Sequence, residues 1–98
     1  MANVLVTMTV SGFTETEARN GLPDLLDEFQ HRPWIIMPTA KWDTGRKLVV
    51  VTVGYESNDI EGCRQAAHDE VWDCIIACIQ FSLQISFEIE DACYAPVA

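Results

Sequence analysis

The chain has 98 residues, 49% of them hydrophobic and 21% charged, with a formal net charge of −9. A length of this order makes one domain, and so acidic a surface repels phosphate, which argues against nonspecific binding to nucleic acid or anionic membranes. No stretch approaches the roughly 20 apolar residues of a membrane span, and Met1-Ala2-Asn3-Val4 lacks the basic start of a secretory signal, so a cytoplasmic location is expected.

Residues 3–10 alternate, with Val4, Val6, Met8 and Val10 on one face and Leu5, Thr7 and Thr9 on the other. That period of two predicts a half-buried strand, broken at Ser11-Gly12. Thr14 and Glu17 then fit a capping box, followed by Ala18, Leu22, Leu25, Leu26 and Phe29 at helical spacing. Gly21 and Pro23 interrupt this helix. Proline lacks an N–H and crowds the carbonyl four residues earlier, so a kink is expected, or a short turn before a helix over about 22–31.

Residues 34–42 read as a second strand, and Pro38 in it implies a sheet edge or a bulge. Asp43-Thr44-Gly45 reads as a hairpin turn, with Gly45 suited to positive φ. Residues 46–56 predict the strongest strand, apolar on both faces at Leu48 to Val53, which belongs mid-sheet. Which of its faces meets the helices stays open. Ser57-Asn58-Asp59 offers a cap, with Asn58 and Glu61 as a second box-like pair, for a helix to about Ile79. Its apolar stripe (Ile60, Ala67, Val71, Cys74, Ile75, Cys78) is widened by His68, Trp72, Ile76 and Ile79, and Asp69, Glu70, Asp73 and Gln80 define the wet side. Packing on sheet and first helix accounts for that width, with an oligomer contact through Trp72 and Ile76 as the alternative. Residues 82–90 alternate again, Leu83, Ile85, Phe87 and Ile89 inward and Gln84, Ser86, Glu88 and Glu90 outward. Residues 91–98 read as a loose C-terminal tail, in which Tyr94 and Val97 have the apolar bulk to dock.

The order strand, helix, strand, strand, helix, strand over residues 3–90 resembles the ferredoxin-like superfold, the split β-α-β sandwich. The resemblance implies an α+β fold, a four-stranded antiparallel sheet with two helices on one face, in a single domain over 1–98. Relatives sharing the fold include ACT-type ligand-binding domains, trimeric nitrogen-signalling and copper-tolerance proteins, and dimeric α+β barrels. The likeness is to the fold. A heavy-metal C-x-x-C, an acylphosphatase glycine loop and the aromatic-basic strand of RNA-recognition motifs are all absent from the sequence, and no family residues carry over.

This arrangement leaves one sheet face without helices. It is expected to carry Leu5, Thr7 and Thr9, either Leu48, Val50 and Thr52 or Val49, Val51 and Val53, and Gln84, Ser86 and Glu88. Such a mixture suits a sheet-to-sheet homodimer or higher oligomer, or a cavity for a small-molecule ligand or protein partner; a solvated sheet face is the plainer alternative. Lys41, Arg46 and Lys47, three of the six Lys and Arg, flank the hairpin turn with Trp42 among them. They read either as an anion or acidic-partner site with Trp42 as a stacking platform, or as a charged tip that keeps the edge soluble.

His68, Asp69 and Asp73 are the one cluster of ligand-type residues, and two carboxylates with an imidazole suit a divalent metal. His68 projects away from Asp73, however, and the zinc-type histidine pair is missing, so the acidic helix face is read as solvated and no metal or other cofactor is expected. Cys63, Cys74, Cys78 and Cys93 form no C-x-x-C pair and read as free thiols in a reducing compartment. No nucleophile set, phosphate loop or dinucleotide fingerprint is present. The expectation is therefore a noncatalytic, oligomeric binding domain. The alternative is a cofactor-free enzyme of the dimeric α+β-barrel kind, with His68 or His31 as base in a cavity shaped by Trp and Thr side chains. His31 otherwise serves to cap a helix end.

Overall fold

The computed structural model describes residues 2–80 and 84–95. Its elements run β1 (Asn3–Ser11), α1 (Glu15–Gln30), β2 (Ile36–Asp43), β3 (Leu48–Glu56), α2 (Ile60–Cys78) and β4 (Ser86–Tyr94). The four strands form one antiparallel sheet in the order β2-β3-β1-β4. Both helices pack on one face, which makes the fold ferredoxin-like. No helix among the described residues is long and apolar enough to cross a membrane.

The core follows from the strand alternation. Val4, Val6, Met8 and Val10 of β1 and Val49, Val51 and Val53 of β3 are fully buried. Their cross-strand pairs, such as Val6 with Val53 and Val10 with Val49, place them on one face. Ala18, Leu25 and Phe29 of α1 and Ala67, Val71, Cys74 and Ile75 of α2 close over them. Full burial of one such aliphatic side chain is worth about 1.5–3 kcal/mol relative to exposure. This resolves the third strand: Leu48, Val50 and Thr52 are the residues left on the open face.

Four local expectations need correction. First, α1 is continuous from Glu15 through Pro23, neither starting at Leu22 nor broken before it. The capping box nucleates it, since Thr14 Oγ1 accepts from the Glu17 N–H and the Glu17 carboxylate accepts from the Thr14 N–H. Gly21 is where α1 rides on the end of α2: a Cβ there would lie 2.6 Å from Ile79 Cγ1. Second, the cap of α2 is Asp59, whose Oδ1 accepts from the Gly62 N–H at 2.9 Å, while Asn58 instead accepts from the Ala2 N–H.

Third, the hairpin turn spans Thr44–Lys47, between the paired Asp43 and Leu48, so Arg46 and Lys47 are not strand residues. Its left-handed residue is Lys47, at φ 56°, and not Gly45. A four-residue connection closed by the Lys47 N–H to the Asp43 carbonyl moves the positive φ to the turn's last position. Fourth, β4 continues to Tyr94, where a loose tail from Asp91 was expected. Leu5 pairs with Cys93 and Val6 with Ala92, and the Tyr94 hydroxyl donates to the Asn58 carbonyl. A bulge between Thr7 and Met8 shifts the register by one residue at Glu90, and this hid the strand: the alternation breaks there although the pairing does not. Leu83 and Val97 lie outside the described residues.

Pro38 sits on edge strand β2 at a second bulge, where Met37 and Pro38 stand between the pairs Ile36–Gly54 and Thr39–Thr52. Met37 takes φ 50° there. The bulge sets Met37 off the ladder, half exposed.

Candidate functional site

The open face can be read row by row from the pairing register. One row runs Thr39, Thr52, Thr7, Asp91; the next runs Lys41, Val50, Thr9, Glu88. Beyond them lie Gly54, Leu5 and Cys93 on one side and Asp43, Leu48 and Ser86 on the other. The middle columns, from β3 and β1, are aliphatic and hydroxyl. Thr7 and Thr52 share a hydrogen bond of 3.3 Å across them. The β4 column is acidic (Glu88 and Asp91), and the β2 column carries Lys41. Of the candidate face residues, Leu5, Thr7, Thr9 and Ser86 lie on this face; Gln84 is exposed and precedes β4.

The four hairpin candidates do not form one site. Lys41 pairs with Val50 and is on the open face, whereas Trp42 pairs with Val49 and packs on the core from the helix side. Successive strand residues point to opposite faces, so Lys41 and Trp42 cannot act on one ligand. Trp42 and Lys47 instead line an open cleft of about 280 Å³ with Phe13, Thr14, Glu15 and Thr44. The Trp42 indole N–H is buried there with no acceptor among the described residues.

Arg46 takes a third direction. Its Nε donates to Asp43 Oδ2 at 3.0 Å, and its Nη1 donates to Glu90 Oε2 at 3.1 Å. The Asp43 carboxyl is held below its ordinary range, first by this side-chain bond and then by the Arg46 backbone N–H. Glu90 lies on β4, with β1 between it and the β2–β3 hairpin. The helices fill the other side, so this bond is made on the side of the open face. Thr9 on that face is only 8% exposed although it points away from the core.

His68, Asp69 and Asp73 are engaged separately. His68 Nδ1 lies 3.2 Å from Asp69 Oδ1, and the Gln65 amide donates to both Asp69 oxygens. These contacts, the Gln65 bond first, hold the Asp69 carboxyl below its ordinary range. The His68 ring packs edge-on against Phe87 at 5.1 Å. Among the described residues no three His, Cys, Asp or Glu side chains are placed to hold a metal. His31 forms the C-cap of α1, with Nδ1 2.9 Å from the Asp27 carbonyl.

The Glu70 carboxylate, expected on the wet side of α2, gathers three side-chain donors. Its side chain is 15% exposed. One oxygen accepts from Arg32 Nη1 at 3.1 Å and Trp34 Nε1 at 2.7 Å, and the other from the Tyr55 hydroxyl at 2.9 Å. Burial and then this bond raise the Tyr55 hydroxyl far above its ordinary pKa. Burial opposes the charge on Arg32, but its bonds to Glu70 and Glu28 outweigh that. No spacing rule signals this cluster, because its donors come from the α1–β2 connection and from β3. With every oxygen of Glu70 occupied by the chain's own donors, the cluster ties α2 to the sheet.

Compared with known proteins, the chain matches no family model and no curated protein.

Proposed function

We propose that this chain is a noncatalytic, self-associating domain whose working surface is the open sheet face, where it receives a second copy of itself, a small ligand or a protein partner. The observation that carries the reading is the middle of that face: half-buried Leu5, Leu48 and Val50 stand beside a bonded threonine pair, with neither helix packed over them. Apolar groups framed by hydroxyls and charges are the usual composition of a surface that is covered part of the time.

Placement of the titratable groups weighs against the enzyme reading. The layer between sheet and helices is occupied by aliphatic side chains. The side chains of His31 and His68 are 70% and 49% exposed, outside that layer. Burial raises the Cys74 thiol to about 11, which keeps it protonated and poorly nucleophilic. All four cysteines are free thiols, which supports a reducing, cytoplasmic setting.

Native mass spectrometry of the protein as purified tests the reading, because it reports oligomeric state and retained ligand together. A dimer or larger species, or a monomer carrying a stoichiometric ligand, is expected. A clean monomer at high concentration, with no adduct and no binding of an apolar dye, overturns it.

A further inference from the structure

We infer that the occupant of the open face is a second copy of this chain, related by a two-fold axis parallel to the strands, so that β2 of each copy lies over β4 of the other. The inference rests on the open-face reading above and adds the partner and its orientation.

Two sheets packed face to face with their strands aligned, and related by a two-fold axis, have two options. An axis parallel to the strands exchanges the two edges, so that β2 covers the partner's β4. An axis perpendicular to the strands keeps the edges, so that β4 covers the partner's β4. The charges on the two edges decide between them. Glu88 and Asp91 stand on the β4 column, while the β2 column carries Lys41 and Asp43, the latter bonded to Arg46. A perpendicular axis through the middle of the sheet, between the Thr7 and Thr9 rows, sets Glu88 over the partner's Asp91 in a protein already at net charge −9. Like charges juxtaposed across an interface are costly, and opposite ones set its register.

The rows then fit one by one. Lys41 and Glu88 occupy the two ends of a single row, so the parallel axis sets Lys41 over the partner's Glu88 at both ends of the interface. Inside that row Val50 comes over the partner's β1 at Thr9, a side chain only 8% exposed within its own chain. In the next row Thr52 meets the partner's Thr7. One row further, Leu5 comes over the partner's Gly54, where the partner's own Ile36 and Leu5 side chains already close over the backbone. The sheets' twist of about 30° relative to each other loosens these superpositions without changing which columns meet. Four strands at about 4.8 Å and eight paired residues at about 3.3 Å define a plane of roughly 500 Å² before side-chain relief. That approaches the ~800 Å² per partner of a standard interface.

Sedimentation equilibrium on five proteins tests this: wild type, Lys41→Glu, Glu88→Lys, the double variant Lys41→Glu/Glu88→Lys, and Val50→Glu. Circular dichroism establishes that each is folded, and Leu48→Lys replaces Val50→Glu if the latter is not. The expected result is a wild-type dimer that each single charge change weakens about tenfold or more. The double variant restores it to within about threefold, because exchanging the two charges leaves opposite signs facing each other at both ends of the row. A dimer lost in Val50→Glu but insensitive to the single charge changes leaves the open-face reading standing and overturns the edge-exchanging axis. A dimer that survives Val50→Glu overturns the open-face reading itself. A monomeric wild type overturns the second copy as occupant, and ligand retention in native mass spectra then decides the open-face reading separately.

Discussion

Arg46 and Glu90 stand 44 positions apart, on a turn and on the far edge strand, yet Arg46 Nη1 lies 3.1 Å from Glu90 Oε2. The bond reaches past β1, the strand between the hairpin and β4, on the side of the sheet that the helices do not cover. Its other anchor is Asp43, so one guanidinium joins both edges of the sheet.

Replacing Arg46 by alanine is expected to raise the Asp43 carboxyl part of the way back toward its ordinary range, since the backbone N–H bond remains, read by carboxyl-carbon NMR titration. A carboxyl held low by the fold contributes stability above its unfolded pKa and loses it as pH falls through the folded value. Wild type therefore shows a larger acid-side loss than Arg46→Ala. An unchanged Asp43 titration in the variant would contradict the assigned bond.

Glu70→Ala leaves Arg32, Trp34 and Tyr55 without their shared acceptor. The expected loss is about 2–3 kcal/mol in urea denaturation, since hydrogen bonds to a charged group are the stronger ones. Tyr55→Phe should cost about 1 kcal/mol, and the two changes together less than their sum, because they share one bond. Strict additivity would show that the bond contributes nothing.

Stability should fall on the alkaline side. The Cys74 thiol is raised by burial from its ordinary 9 to about 11, with Arg32 pulling it back and Glu28 pushing it further. A raised pKa means its contribution is complete below pH 9 and is lost as pH climbs through 11. The loss by the upper end is about 2 kcal/mol. Tyr55 adds to it above its ordinary 10. Cys74→Ala should flatten the earlier part of the decline, measured by urea midpoints against pH.

Gly21→Ala should destabilise by about 1–3 kcal/mol despite alanine's better helix propensity, because the new Cβ meets Ile79 Cγ1 at 2.6 Å and Ile79 Cα at 2.9 Å. A gain in thermal midpoint would show that α1 shifts freely on α2.

At the hairpin the two candidate positions should respond oppositely to what their residue types suggest. Lys47→Gly relieves a left-handed side-chain position and should gain about 0.5–1 kcal/mol after glycine's extra unfolded-state entropy. Gly45→Ala is expected to be close to neutral, since Gly45 is not left-handed and its Cβ would meet only Asp43 Oδ1 at 3.4 Å. Thermal melts of both variants check the pair.

Element order, the central place of β3, the edge place of Pro38 and the Thr14 capping box were all legible from residue spacing. Each depends on neighbours within a few positions. The end of β4 was not, because a bulge at Glu90 breaks the period of two while leaving the strand paired. Pro23 read as an interruption, but one missing hydrogen bond is a small cost beside the buried face of α1. Glu70 read as solvated because a helical wheel knows nothing of Arg32, Trp34 and Tyr55 arriving from other elements.

By itself, then, the sequence determined the local periods, and with them a fold with helices on one side of a sheet. It also determined that apolar residues would remain on the other side. The tertiary structure alone decided which alternate of β3 faces out, that Lys41 and Trp42 part to opposite faces, and that Arg46 crosses to Glu90. The physical reason is that periodicity is a property of neighbours along the chain. Register, bulges and the meeting of charges from distant strands are set only when the strands pair.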